Sequence, residues 1–182
     1  MKPVYARLTA ALALTFGVAA CVPRTAAPPA PAPAAPAPTV LPPAPAPTPA
    51  FSNWKDAPRT PGEWRYAPAP GGGTALYADP GLGTRFTLRC DRAQRLIVLE
   101  QPGQVNGPAP VVVRTDALNR TLAGQAVPGQ AGGVRVTLPA TDPLLDAMAL
   151  SRGRFAVEAA GQPPLYLPSW PEVTRVVEDC RG

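Results

Sequence analysis

Thr84-Arg85-Phe86-Thr87-Leu88-Arg89-Cys90 decides the fold class. Phe86, Leu88 and Cys90 fall on one face and Thr87 and Arg89 on the other, the period-two alternation of a half-buried strand. After Asp91-Arg92-Ala93-Gln94 the apolar run Leu96 to Leu99 completes a hairpin. Val111 to Thr115 and Val134 to Leu138 read as further strands, the second with Val134, Val136 and Leu138 inward. Gly, Pro and Asn clusters separate these runs, so turns and loops join them rather than helices.

Helical periodicity enters only near the C-terminus. Asp142 is an N-cap, Pro143 suits the first helical position, and Leu144, Leu145, Met148 and Ala149 make an apolar face before Gly153 stops the turn. Arg154 to Ala159 alternates again, and Gly161 to Pro164 turns into a brief strand, Leu165-Tyr166-Leu167. Ser169-Trp170-Pro171-Glu172 spells a Ser-x-x-Glu capping box. Val173, Val176, Val177 and Cys180 then recur at i, i+3, i+4 and i+7, so one face of a closing helix is buried.

The other end of the chain gives an address. Lys2 and Arg7 form a positive n-region, and Leu8 to Ala20 is apolar but too short to span a bilayer as a helix. Val18-Ala19-Ala20-Cys21 closes that run with a lipobox, so residues 1–20 are expected to leave as a lipoprotein signal and Cys21 to become the lipidated N-terminus. An ordinary secretory signal, with Cys21 left as a free thiol, is the alternative. Val22 in place of Asp after the cysteine matches lipoproteins sent to the outer membrane, which predicts a lipid-anchored protein at its periplasmic face. Residues 21–50 form a tether, almost wholly Pro and Ala from Val22 onward. Such composition supports extended polyproline II of about 3.1 Å per residue, a spacer of at most about 90 Å. As a ligand for an aromatic groove it has a basic residue only at Arg24.

Residues 51–182 supply one modest core. The chain has 17 Lys plus Arg against 12 Asp plus Glu; without Lys2 and Arg7 the count is 15 against 12, a net of +3, which is no nucleic-acid footprint. With Cys21 lipidated, Cys90 and Cys180 are the only thiols left, and in an oxidising compartment they are expected to pair. A metal pair or an exchange-active dithiol are the alternatives, and both lack histidine and Cys-x-x-Cys.

Two stretches carry a resemblance. DPLLDAMALSRGRFAVE from Asp142 and LPSWPEVTRVVEDC from Leu167 resemble a group of uncharacterised lipoproteins of Gram-negative bacteria, over roughly Trp54 to Arg181. More distantly, a mid-chain strand ending in cysteine, a late helix-strand-strand unit and a closing helix with the partner cysteine look like the type VI secretion-associated TagO and invasion-associated locus B proteins. The resemblance implies a small β-sandwich with the terminal helix packed on it, and carries over no catalytic residue.

Chemistry is marked by absences. There is no histidine for a general base, and Ser52, Ser151 and Ser169, the serines after the signal, stand in no Gly-x-Ser-x-Gly elbow. Gly71-Gly72-Gly73 and Gly81-Leu82-Gly83 lack a following helix to cradle phosphate. Asp142 with Asp146, or Glu178 with Asp179, read as caps and solvated charge rather than as a glycosidase pair. Asn119-Arg120-Thr121 reads as a turn. The candidate binding constellation is Ser151-Arg152-Gly153-Arg154, where two guanidinium groups approach an anion, joined by Arg114 or Arg120; the alternative pairs Arg152 and Arg154 with Asp142, Asp146 or Glu158. Trp54, Trp64, Tyr66 and Tyr77 are either a platform for a carbohydrate or partner, or core.

The expected function is a non-catalytic binding or accessory module of the envelope, with the membrane, an envelope protein or peptidoglycan as partners and no cofactor, metal or nucleic acid. The alternative is an inhibitor or regulator of a periplasmic enzyme. Cys21→Ser should abolish acylation and leave unprocessed precursor; metabolic labelling with a palmitate analogue checks this, and equal labelling of variant and wild type would refute it.

Overall fold

The computed structural model describes residues 53–129 and 132–182. The chain divides into two units, Met1–Leu41 and Pro42–Gly182, and every described residue belongs to the second. The signal, Cys21 and the tether lie outside the described residues.

Nine strands form one antiparallel sheet in the order β1-β2-β3-β4-β7-β6-β5-β8-β9. They are β1 (Glu63–Ala67), β2 (Thr74–Asp79), β3 (Gly83–Asp91), β4 (Leu96–Gln101), β5 (Ala109–Arg114), β6 (Asn119–Ala126), β7 (Val134–Pro139), β8 (Arg154–Ala159) and β9 (Leu165–Pro168), with helices α1 (Pro143–Ala149) and α2 (Pro171–Arg181). The protein is mainly β, as the alternation over residues 84–90 requires. The expectation of two packed sheets is corrected: the sheet is continuous and curls into a half-barrel.

The curl has a local cause in β6. Residues Asn119 to Gly124 pair with β5, while Gln125 and Ala126 pair with β7, so one strand serves both halves and turns the corner between them. Gly124 stands at the change of partner, where a Cβ would meet Val134 and come within 2.6 Å of the Ala109 carbonyl oxygen. Any side chain there would push the halves apart. Both halves then face a common core, from Trp64, Tyr77, Phe86 and Leu88 on one side to Val111, Val113, Phe155 and Leu167 on the other.

The two edge strands are drawn together by the segment leading into β1. Thr60 N–H donates to Tyr166 O at 3.0 Å, Tyr166 N–H donates to Thr60 Oγ1 at 2.8 Å, and Trp64 Nε1–H donates to Pro168 O at 2.8 Å. The edge of β9 is thereby satisfied rather than left open as a template for another chain. Of the four aromatic residues, Trp64 and Tyr77 are core, buried on β1 and β2, where Trp64 meets Tyr77 edge-on at 5.1 Å and Phe86 at 6.3 Å, while Trp54 and Tyr66 are only partly buried. Burial pushes the Tyr77 hydroxyl pKa up, and that hydroxyl donates to Thr60 O at 2.6 Å.

α1 begins as its sequence dictates, with Pro143 in the first turn and the Asp142 carboxylate accepting from Leu144 N–H at 2.9 Å. α2 starts differently. Trp170, not Ser169, is its N-cap and no side-chain cap bond forms, because a residue before proline is held extended and the helix cannot begin earlier than Pro171. Ser169 Oγ and one Glu172 oxygen are buried without a partner among the described residues, so the expected capping box is absent. Asn119-Arg120-Thr121, read as a turn, opens β6 instead.

α2 lays Val173, Val176, Val177 and Cys180 against the sheet, and Cys180 is bonded to Cys90 of β3. Both half-cystines are buried, and Gly72, with φ +121°, lies so close that a Cβ would stand 2.5 Å from Cys90 Sγ. The native chain should therefore resist thiol reductants until denaturant is added. Once reduced, it should lose about 4 to 5 kcal/mol, the loop entropy for a separation of 90 residues. Melts of oxidised and reduced full chain should differ by well over 10 °C, at roughly 3 to 6 °C per kcal/mol for a domain of this size; coincident melts would refute it.

Candidate functional site

The start of β8, the β5–β6 turn and the end of α1 meet at one end of the half-barrel. The turn is fixed by its own side chains: Thr115 N–H donates to Leu118 O at 3.0 Å, Thr115 Oγ1 donates to the same oxygen at 2.7 Å, and Leu118 N–H returns a bond to Thr115 Oγ1 at 2.8 Å. Ser151 then latches the turn to β8. Its hydroxyl accepts from Asp116 N–H at 3.1 Å and donates to Arg154 O at 2.7 Å, while Arg152 N–H donates to Asp116 Oδ2 at 2.7 Å. Lys55 pairs with the other oxygen of Asp116. The hydrogen bond from Lys55, with that from the Arg152 amide, holds the Asp116 carboxyl below its ordinary pKa.

Between these latched segments lies a shallow depression of about 540 Å³, floored by Ala117, Leu118, Pro143, Ala147 and Leu150, with Asp116 and Asp146 at its edges. Leu150, the C-cap of α1, is 78 % exposed. Among the described residues two large apolar side chains stand out to solvent, Leu82 and Leu150, and Leu150 is the more exposed. The sequence reading passed over it, although Leu150 falls outside the buried stripe of Leu144, Leu145 and Met148 and that misfit was legible.

Three of the four arginines proposed for an anion site have separate partners. Arg114 Nε–H donates to Glu158 at 2.9 Å; Arg120 makes two bonds to Asp142, at 2.8 and 2.7 Å; Arg154 donates to the Ala57 carbonyl. Asp146, the remaining acid considered for Arg152 or Arg154, is taken by Arg181 at 2.7 and 3.1 Å. Of these four, only the Arg152 guanidinium is exposed and without an ion pair or hydrogen bond among the described residues. Gly153 takes φ +76°, the left-handed turn that carries the chain from α1 into β8.

Burial raises the Asp142 carboxyl pKa, but the Arg120 and Leu144 bonds and the Arg120 charge outweigh it, leaving the group below its ordinary range. Asp142 thus serves as both N-cap and ion-pair partner. Asp179, near the end of α2, accepts from the Tyr66 hydroxyl, whose pKa that bond raises, and Arg175 stacks 5.4 Å over the Tyr66 ring. Compared with protein-family models, curated proteins and solved structures, the chain matches none.

Glu158 is 1 % exposed and its second oxygen has no partner among the described residues. Arg114→Gln should therefore cost about 3 to 5 kcal/mol by leaving a buried charge uncompensated, whereas Arg152→Gln should cost less than about 0.5 kcal/mol; denaturant titration separates the two. Arg120→Gln should cost about 1 kcal/mol at neutral pH. Because the folded pKa of Asp142 is depressed, the pair's contribution is present above the unfolded value near 3.9 and fades as pH falls through the folded one. Stability curves of wild type and Arg120→Gln should converge in acid; a constant gap down to about pH 2 would refute the pairing.

Proposed function

We propose that the protein is a non-catalytic binding or accessory module of the bacterial envelope, anchored through lipidated Cys21 at the periplasmic face of the outer membrane. Its partner is a protein that covers the depression around Leu150. The observation that carries this reading is the exposed apolar floor held between two hydrogen-bonded segments. A surface fixed before binding loses little entropy on association, and a central apolar anchor with a polar rim is how such contacts gain affinity. The absence of histidine supports a binding role, as does the use of Ser151 as a structural latch and of Asp142 and Asp146 as arginine partners.

A photoreactive residue at position 150 of the full-length protein should crosslink to an envelope protein in cells, while one at Arg89 should not. Leu150→Asp should abolish co-purification of that protein, before and after digestion of peptidoglycan, and leave the melting temperature within about 2 °C. Equal crosslinking at both positions, or recovery lost on wall digestion alone, would sink the proposal.

A further inference from the structure

The other end of β8, about 20 Å away along a six-residue strand, carries a second site that owes nothing to the depression. Here the half-barrel opens into a cleft of about 360 Å³, between the start of β3, the end of β4 and the β8–β9 turn. Mouths of curled sheets are favoured places for small ligands, and the volume is in the usual range.

Two polar groups converge on it. Gln101 is the last inward residue of β4, only 3 % exposed, and its Nε2 donates to Pro163 O at 2.9 Å. Its Oε1 is buried and accepts from no group among the described residues. That leaves a desolvated acceptor at the floor of the cleft, a cost that a donor from a ligand would remove. The second group is Arg85. Strict alternation would turn it outward beside Phe86, but the register between β2 and β3 slips: Tyr77 faces Phe86 while Ala78 faces Thr84. Arg85 is the extra residue of this bulge, which sets it in the lining of the cleft. Its guanidinium has no ion pair or hydrogen bond among the described residues.

The rest of the wall is apolar or neutral. Leu82 stands exposed at the opening and Leu165, which is buried, lies at its inner wall, with Pro102 and Pro163 beside them; among the described residues no acid lines the cleft. Leu82 is exposed yet fixed, because the Asp79 carboxylate accepts from the Gly81 and Leu82 amides at 2.8 and 2.9 Å. One free guanidinium takes one carboxylate in a forked pair. The Gln101 oxygen opposes a second negative oxygen and calls for an N–H, and the leucines call for an aliphatic group.

We propose that the mouth of the half-barrel binds the C-terminal end of a short peptide, its carboxylate on Arg85, its last amide N–H on Gln101 Oε1 and a small aliphatic side chain against Leu82 and Leu165. The probes are acetyl-Val-Ala with a free carboxylate, the same dipeptide as its C-terminal carboxamide, and inorganic phosphate, each titrated calorimetrically into the full chain in detergent. The free acid should bind saturably and the carboxamide about tenfold more weakly or worse. Arg85→Gln should weaken the acid by about tenfold with an unchanged melting temperature, and Arg85→Lys by less. Gln101→Leu should also weaken it; because this residue is buried, its melt is measured alongside, and the Arg85 variants decide the matter if it unfolds. Leu150→Asp should bind the acid as wild type does, so failure at one site is distinguishable from failure at the other. No saturable binding of the acid, equal binding by Arg85→Gln, or phosphate binding as tightly as the dipeptide would overturn the proposal.

Discussion

The bond between Cys90 and Cys180 is the constraint on which the rest of the structure depends. It ties the end of a central strand to the last helix, and so holds α2 against β1 to β4 at the cost of one covalent link. The hairpin turn beside it completes the attachment. Arg92 donates to Asp179 O at 3.0 Å and Arg95 to Arg181 O at 3.2 Å, placing two cations on carbonyls at the end of α2 that have no partner within the helix. Without α2 the half-barrel would lose Val173, Val176 and Val177 from its core and expose the inner faces of β2 and β3.

Charge is used in the same long-range manner. Arg114 with Glu158, Arg120 with Asp142 and Arg181 with Asp146 each join elements far apart in the chain. Exposed pairs of this kind contribute little, but Glu158 lies within the protein, and Asp142 also caps a helix. The arginine-rich composition thus has a structural use: a planar fork can satisfy both oxygens of a carboxylate, as Arg120 and Arg181 do, where a lysine could not.

A closed core leaves function to the ends. β8 is buried on both faces, its inner side by the main core and its outer side in part by Ala57 and Trp54 packing on Ala156 and Tyr166. It is a rigid axle with a different surface at each tip. At its start the Ser151 latch presents an apolar depression, and at its end the bulge at Arg85 and the buried Gln101 oxygen make a polar cleft. Both surfaces rest on backbone that hydrogen bonds hold in place.

The sequence by itself determined the strands whose alternation is clean, β3 and β7, both helices, and the pairing of the two cysteines, because each is written in local period or in simple count. It did not reveal β1, β2 or the role of β6. β1 and β2 are short and flanked by Gly and Pro, and although their aromatic residues favour a strand, those same residues also fit a binding platform. Asn119-Arg120-Thr121 has turn composition, so its strand character comes from its neighbours rather than from intrinsic preference. Whether the strands made two sheets or one was decided by the corner at Gly124, where the requirement is a close approach of two distant segments and no local pattern encodes it. The arginines were visible as a cluster in sequence, yet their partners were set by which carboxylate the curled sheet brought within reach. Leu150 and Arg85 differ again: a misfit in a helical stripe and a residue in an alternating run acquire meaning only when a helix end and a bulge fix where they stand.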